Sequence, residues 1–266
     1  MGTGKIQVLL SKMSVFGLPM QMAMNLAKES RFDGIEILIN GWYKNHMPDY
    51  QSLAHNLGLK LHFHQAWSAN EDPTDKSFLI LEKIGYLPRQ GYTLANHIPQ
   101  EIRNEIIVVS ADRINETTGD NQWLQTDCIF TNEKPILSFA SFVRAVNDLH
   151  LPVVFDMLHY LEYRLGIFRD YDSLTTKKSE LLKLLGEGWD ILGPHTKEIH
   201  LCDFKPGERN VLPGEGVMPL QEFGEIVMNS GWSGYVVPEV SPALLFPYST
   251  KKLKDLWGRA KVFFSN

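Results

Sequence analysis

The chain has 266 residues, of which 44% are hydrophobic, and a formal net charge of −5 at pH 7. This length suits a single α/β barrel, which often needs about 250 residues. The negative charge gives no general attraction to nucleic-acid phosphates or anionic membranes, which argues against those partners. No apolar run approaches the roughly 18 residues of a membrane span, and no signal peptide is evident. We therefore expect a cytoplasmic protein, with Cys128 and Cys202 as free buried thiols.

Short apolar runs alternate with amphipathic helical patterns along the chain. The predicted strands are Ile6–Leu10, Gly34–Ile39, Leu59–His64, Cys128–Thr131, Pro152–Phe155, Glu198–Cys202 and Tyr235–Pro238. The predicted helices are Pro19–Glu29, Asp49–Leu57, Asp75–Ile84, Ile136–His150, Ser173–Trp189, Pro219–Asn229 and Thr250–Phe263.

The fourth strand has two candidates, and periodicity does not choose between them. One is Tyr92–His97, followed by a helix that begins at Pro99, and the other is Glu105–Ser110, which holds the β-favouring run Ile-Ile-Val-Val. With either choice there are about eight strand–helix units, and such alternation implies parallel strands with crossover helices. The sequence therefore predicts one single-domain (β/α)₈ TIM barrel over residues 1–266, with reactive residues at the C-terminal ends of the strands.

The stretch Pro152–Tyr160 carries the first candidate site residues. Asp156 stands where a buried strand should end, and His159 follows three residues later. A carboxylate leaving a buried strand needs a partner, and a metal ion is one such partner. The alternative is that Asp156 caps the next helix and His159 is a half-buried histidine.

Polar residues also collect at the ends of other predicted strands. Glu133, Asp156, His200 and Glu239 form a carboxylate–imidazole set from four successive strands. Mixed oxygen and nitrogen ligands suit one divalent ion, Mn²⁺, Mg²⁺, Co²⁺ or Zn²⁺. We expect His200 to bind it as neutral imidazole, with its other nitrogen held by an acceptor such as the nearby Asp203.

Other polar and aromatic residues can be interpreted either as functional residues or as residues that only pack or pair in the core. His62 and His64 are two residues apart on one strand and so share the face that we expect to line the barrel. There they either contact the substrate or are core histidines whose ring nitrogens are hydrogen-bonded within the protein. Trp67 follows the same strand and either walls the substrate or simply packs. Glu36, on strand two, either belongs to the polar residues that collect at the barrel mouth or pairs with a core Lys or Arg.

Several motifs together resemble the xylose isomerase-like TIM-barrel superfamily, the group of sugar (phosphate) isomerases and epimerases and endonuclease IV. They are Phe-Asp-Gly-Ile-Glu-Ile at strand two, Phe-Asp-Met-Leu-His at strand six, Ile-His-Leu-Cys-Asp at strand seven, Leu-Pro-Gly-Glu-Gly at Leu212–Gly216, and Val-Val-Pro-Glu at strand eight. The resemblance covers the second half of the chain well and the first half loosely.

For site residues, the resemblance implies that Glu133, Asp156, His200 and Glu239 bind the metal and that His159 contacts the substrate. A basic residue in the loop after strand seven, Lys205 or Arg209, would assist. The family often shows Glu-Asn at the end of strand five, whereas this chain reads Thr131-Asn132-Glu133. A strict alignment therefore places Thr131 at the ligand position, and a small register shift restores Glu133.

For function, the resemblance implies a metal-dependent isomerase or epimerase acting on a sugar, sugar phosphate or related polyol ketone. A proton leaves next to a carbonyl and returns, Glu133 and Glu239 transfer it, and a metal stabilises the enediolate. The competing classes are a dehydratase, an endonuclease and a degenerate barrel used as a binding module. The partner is a small carbohydrate-like molecule, and the sequence leaves the oligomeric state open, a homo-oligomer included.

Overall fold

The computed structural model describes residues 6–39, 47–65, 153–165 and 177–265, with short segments at 111–114, 122–125, 130–131 and 134–135 and two isolated helical residues, Val143 and Asn147. Eight strands close into a barrel in the order β1-β12-β9-β8-β5-β4-β3-β2. Within the described residues, the strands are β1 Gln7–Ser11, β2 Gly34–Ile39, β3 Lys60–Gln65, β4 Ala111–Ile114, β5 Gln122–Gln125, β6 Phe130–Thr131, β7 Lys134–Pro135, β8 Val153–Asp156, β9 Thr196–Leu201, β10 Phe204–Lys205, β11 Glu208–Arg209 and β12 Tyr235–Pro238. The prediction of a (β/α)₈ barrel is confirmed.

The fourth strand of the barrel is irregular, because β4 runs antiparallel to both β3 and β5. Only residues 115–121 separate β4 from β5. A parallel neighbour needs a crossover of about a dozen residues or more, so this short connection permits only an antiparallel pair. Both sequence candidates for the fourth strand, at 92–97 and 105–110, lie outside the described residues.

The prediction of Cys128–Thr131 as the fifth barrel strand is wrong. In the barrel, β8 lies between β9 and β5, so the fifth barrel strand is β5, Gln122–Gln125. Phe130 and Thr131 instead form β6, which pairs with β7 as a separate two-stranded hairpin. The alignment that places Thr131 at the end of a barrel strand therefore does not hold.

Helices follow most of the described strands and cover the outside of the barrel. They are α1 Met20–Glu29, α2 Met47–Leu57, α3 Met157–Leu165, α4 Lys178–Leu192, α5 Leu220–Asn229, α6 Pro242–Leu245 and α7 Thr250–Phe263, with 3₁₀ turns at Lys12–Val15 and Gly193–His195. Among the described residues, none of these helices has the length and apolar character needed to cross a lipid bilayer.

The strands sort their side chains into two layers, because successive residues of a strand point to opposite faces. On β9, Ile199 and Leu201 belong to the large apolar core between the barrel and the helices. The barrel interior holds a small separate apolar cluster of Leu9, Val154, Tyr235 and Val237. The interior positions that alternate with Ile199 on β9 are the polar residues Glu198 and His200, both completely buried.

Candidate active site at the C-terminal mouth of the barrel

Three predicted site residues lie at the C-terminal ends of neighbouring strands. Asp156 is the last residue of β8 and stands in register with His200 on β9. His200 is also in register with Val237 of β12, and Glu239 directly follows that strand. Parallel pairing therefore brings the three side chains to one end of the barrel, as the strand-end rule predicts.

The imidazole of His200 is the centre of this cluster. Its Nδ1 lies 3.4 Å from Asp156 Oδ2 and 3.6 Å from Glu239 Oε1. Its Nε2 lies 3.0 Å from Glu36 Oε2 and 3.2 Å from Glu198 Oε1. The ring therefore has two different sides, one facing the mouth carboxylates and one facing carboxylates of the barrel interior.

The two contacts at His200 Nδ1 have the spacing expected of ligands of one metal ion. Donors about 2.1 Å from one tetrahedral ion stand about 3.4 Å apart, close to the separations at His200 Nδ1. In each of two overlapping groups, one donor atom from every residue lies within 4.8 Å of the others: Glu36, His200 and Glu239, and Asp156, Cys202 and Glu239. Glu239 belongs to both groups and, with a side chain 19% exposed, is the member nearest to solvent.

The buried charges compensate one another. Burial lowers the pKa of His200, but Glu36, Asp156 and Glu198 outweigh it and raise that pKa well above its usual value. Burial raises the pKa of Asp156, but His159 and His200 outweigh it and hold that pKa well below its usual range. Without a metal, the surrounding carboxylates therefore favour the cationic form of the imidazole.

His159 lies in the first turn of α3 and not in a loop. Its backbone N–H donates to Asp156 Oδ1 over 2.8 Å, so Asp156 caps this helix while its other oxygen faces His200. The ring of His159 lies between Glu162, at 2.6 Å from Nδ1, and Arg209, at 2.8 Å from Nε2. Because a carboxylate only accepts, Nδ1 carries a hydrogen.

Asp203 organises the loop after β9 and does not touch His200. Its Oδ1 accepts from the backbone N–H groups of Phe204 and Met218 at 2.9 and 3.1 Å. Its Oδ2 accepts from those of Gly214 and Gly216, both at 2.9 Å. A Cβ on Gly216 would stand 2.1 Å from Asp203 Oδ1, which explains the glycine in the Leu-Pro-Gly-Glu-Gly motif. Asp203 is therefore not the acceptor for His200.

Cys202 is a buried free thiol, as predicted, and its Sγ lies 3.7 Å from Glu239 Oε2. Burial raises the pKa of this thiol well above its usual value, and the nearby carboxylates of Asp156 and Glu239 raise it further. The other cysteine, Cys128, lies outside the described residues.

The remaining predicted site residues fall in three different places. Arg209 on β11 reaches His159, whereas Lys205 on β10 makes no such contact with the described site side chains. His62 is completely buried in the barrel interior, and the backbone of His64 lies on β3. Trp67 and Glu133 lie outside the described residues.

Sequence reasoning did not assign the roles of three carboxylates near this site. The sequence allows Glu36 either a place among the polar residues of the strands or a core Lys or Arg as its partner, and in the structure it contacts His200. Glu198 was read only as the start of a strand, although a charged residue two positions before His200 must share its face. Glu162 was missed, and its three-residue spacing from His159 was the available signal.

Comparison with known proteins finds similarity in structure only, since no protein-family model and no curated protein matches the sequence. A xylose isomerase domain-containing protein from Salmonella typhimurium has a TM-score of 0.58 and 13% identity, covering 99% of both chains. D-Psicose 3-epimerase from Clostridium cellulolyticum, bound to D-tagatose, has a TM-score of 0.55 and 12% identity, covering 98% of this chain and 100% of its own. The IolI protein with a bound zinc atom has a TM-score of 0.58 and 14% identity, covering 97% of this chain and 98% of its own. The chain thus has the fold of the xylose isomerase-like TIM-barrel superfamily, which confirms at the level of the fold the resemblance seen in its motifs.

Proposed function

We propose that this chain is a divalent metal-dependent isomerase or epimerase that acts on a sugar, a sugar phosphate or a related polyol ketone. The observation that carries the proposal is the donor cluster around His200, at the end of the barrel where this fold places its chemistry. The epimerase that binds D-tagatose and the zinc-containing IolI protein have the same fold, which supports a small carbohydrate-like substrate and a metal.

Asp156, His200 and Glu239 would hold the ion, with Glu133 as the proposed fourth ligand. The oxygen and nitrogen donors suit Mn²⁺, Mg²⁺, Co²⁺ or Zn²⁺. When bound, such an ion supplies Lewis-acid stabilisation of the negative charge that develops on a carbonyl oxygen.

The residues of the chain have distinct roles in proton transfer next to that carbonyl. Glu239 is partly exposed, so its carboxylate can accept the substrate proton and return it. We propose Glu133 as the second acid–base group. The guanidinium of Arg209 and the ring of His159 form a polar pair that can orient the substrate oxygens.

Metal analysis combined with solvent exchange tests this function. Metal-loaded protein should incorporate solvent deuterium into at least one member of a panel of ketoses, ketose phosphates and polyol ketones, because the abstracted proton exchanges with solvent. Asp156→Asn and Glu239→Gln should each lose stoichiometric metal and exchange activity while keeping the wild-type circular dichroism spectrum. Bound metal without exchange on any substrate would favour a binding module, and wild-type protein that binds no metal would overturn the proposal.

A further inference from the structure

We propose that Glu36 and Glu198 are positioning residues that orient His200, so that Nδ1 faces the metal position and Nε2 carries the hydrogen. This inference rests on the proposed function, because it concerns how the chain prepares one ligand of the proposed metal. It assigns a task to two buried carboxylates that the proton-transfer chemistry does not use.

The first step of the argument is the pair of contacts at Nε2. Glu36 Oε2 and Glu198 Oε1 lie 3.0 and 3.2 Å from this nitrogen. Ionised carboxylates only accept hydrogen bonds, so two of them at one ring nitrogen require an N–H there. In a cationic ring the same rule places a hydrogen on Nδ1 as well, but the contacts of Nδ1 with Asp156 and Glu239 are longer, at 3.4 and 3.6 Å. A metal ion held by these two carboxylates would take the place of the hydrogen on Nδ1, and the hydrogen on Nε2 would stay.

The second step is that Glu198 is also held at its other carboxylate oxygen, by a histidine of the barrel interior. Glu198 Oε2 lies 2.5 Å from His62 Nδ1, and the ring of His62 packs edge-on against Tyr235 with 4.5 Å between centroids. Glu198 and His62 are both completely buried. A carboxylate held at both oxygens cannot rotate away, so it fixes the plane of the His200 ring.

The third step is that the acceptors come from two different strands. Glu36 belongs to β2, and Glu198 belongs to β9 together with His200. The orientation of the ring is therefore fixed by two separate strands of the barrel wall and not by a loop. Partners of a ligating histidine typically change metal affinity by about 10–100-fold when they are removed.

Wild-type protein alone can test the ring orientation. We suggest loading protein that contains isotope-labelled histidine with an NMR-active cadmium isotope and measuring which histidine nitrogen couples to the metal. Coupling to Nδ1, with a hydrogen retained on Nε2 of the same ring, is the expected result. Coupling to Nε2 would overturn the inference while leaving the proposed metal site in place.

Variants then test the two carboxylates. Glu36→Gln and Glu198→Gln keep the side-chain size, and each should raise the dissociation constant for Zn²⁺ by about 10–100-fold, measured by competition with a chromogenic chelator. Glu225→Gln on the exposed face of α5 is the matched control and should leave that constant unchanged. If both interior variants fold, as judged by circular dichroism, and bind Zn²⁺ as tightly as wild type does, the inference is wrong. Should the wild type bind no Zn²⁺ or cadmium at all, the proposed function falls and this inference falls with it.

Discussion

Arg209 and Lys205 lie on opposite strands of one short hairpin after β9, yet only Arg209 contacts the described site. Arg209 donates to His159 Nε2 over 2.8 Å, and Glu162 holds the opposite nitrogen of the same ring. An arginine fixed in this way presents its remaining N–H groups in a rigid fork, which suits recognition of substrate oxygens.

We therefore predict that Arg209→Gln lowers the rate of solvent exchange at subsaturating substrate by about 10–100-fold, the effect of losing a hydrogen bond to a charged group. Lys205→Gln on the same hairpin is the matched control and should change the rate less than about threefold. Metal content should be normal in both proteins, because neither side chain belongs to the donor cluster. Equal losses in the two variants would show that the general positive charge of the hairpin matters, and not the contact with His159.

The sequence predicted the mouth residues better than their partners. Asp156 and Glu239 could be found because each comes at the end of a run of apolar strand residues, and His200 because it stands between Ile199 and Leu201 near the end of its strand, where a barrel places its polar groups. The link between Glu36 and His200 joins residues 164 positions apart, and no local pattern encodes it. Only the curvature of the barrel wall brings β2 near β9, from which β1 and β12 separate it.

At the scale of elements, two glycines on neighbouring helices differ in the space around them, since one is crowded by the next helix and the other faces open space. Gly224 lies in α5 where this helix meets the end of α7, and a Cβ there would stand 1.8 Å from the carbonyl oxygen of Phe263. Gly258 lies within α7, and a Cβ there would meet nothing within 4 Å. Close packing of α5 against α7 thus requires a glycine at position 224 only.

Gly224→Ala should lower the free energy of unfolding by about 1–3 kcal/mol, because two backbones would have to separate. Gly258→Ala should raise that free energy by up to about 1 kcal/mol, since alanine has the higher helix propensity and finds open space. Urea denaturation followed by circular dichroism measures both changes. A stabilising effect of Gly224→Ala would contradict the close approach of the two helices.

The bounds of a strand or helix were predictable where its hydrophobic residues followed one clear period. Strands β2 and β12 and helix α7 match the predicted bounds, because each has an unbroken periodic pattern between turn residues. Helix α3 begins directly after β8 with no intervening turn signal, so the sequence offered it only as the alternative in which Asp156 caps a following helix, without bounds. In the structure Asp156 serves both as strand end and as helix cap. The fifth barrel strand was misplaced because a hairpin strand carries the same β-favouring residues as a barrel strand.

At the scale of the whole molecule, the apolar core outside the barrel and the charged interior have separate tasks. The core between strands and helices is almost entirely aliphatic and aromatic. The described interior and its C-terminal mouth instead concentrate four carboxylates and two imidazoles: Glu36, Asp156, Glu198, Glu239, His62 and His200. Charges inside a barrel contribute stability only in the protonation state that pairs them, so the stability of the whole fold should depend on pH.

In metal-free protein the sign of this dependence follows from the pKa shifts. The pKa of His200 is raised above the value of about 6.5 for an unfolded histidine, so its contribution is complete below that pH and is lost as the pH rises through the folded pKa. The pKa values of Asp156 and Glu198 are lowered, so their contributions are complete above about pH 4.3 and are lost as the pH falls. We expect the metal-free protein to be most stable between about pH 4.3 and 6.5.

A bound divalent ion should reverse the alkaline part of this profile. Once Nδ1 of His200 binds a metal, the imidazole is neutral, and raising the pH no longer removes a stabilising proton from the native state. Deprotonation instead favours the metal-bound form, because protons compete for the same donors. From pH 6.5 to 8.5, the free energy of unfolding should therefore fall in excess chelator and stay level or rise in excess Zn²⁺, as measured by urea denaturation. Parallel profiles in the two conditions would show that His200 does not bind the ion, whereas Glu239→Gln in excess Zn²⁺ should return the falling profile of the metal-free protein.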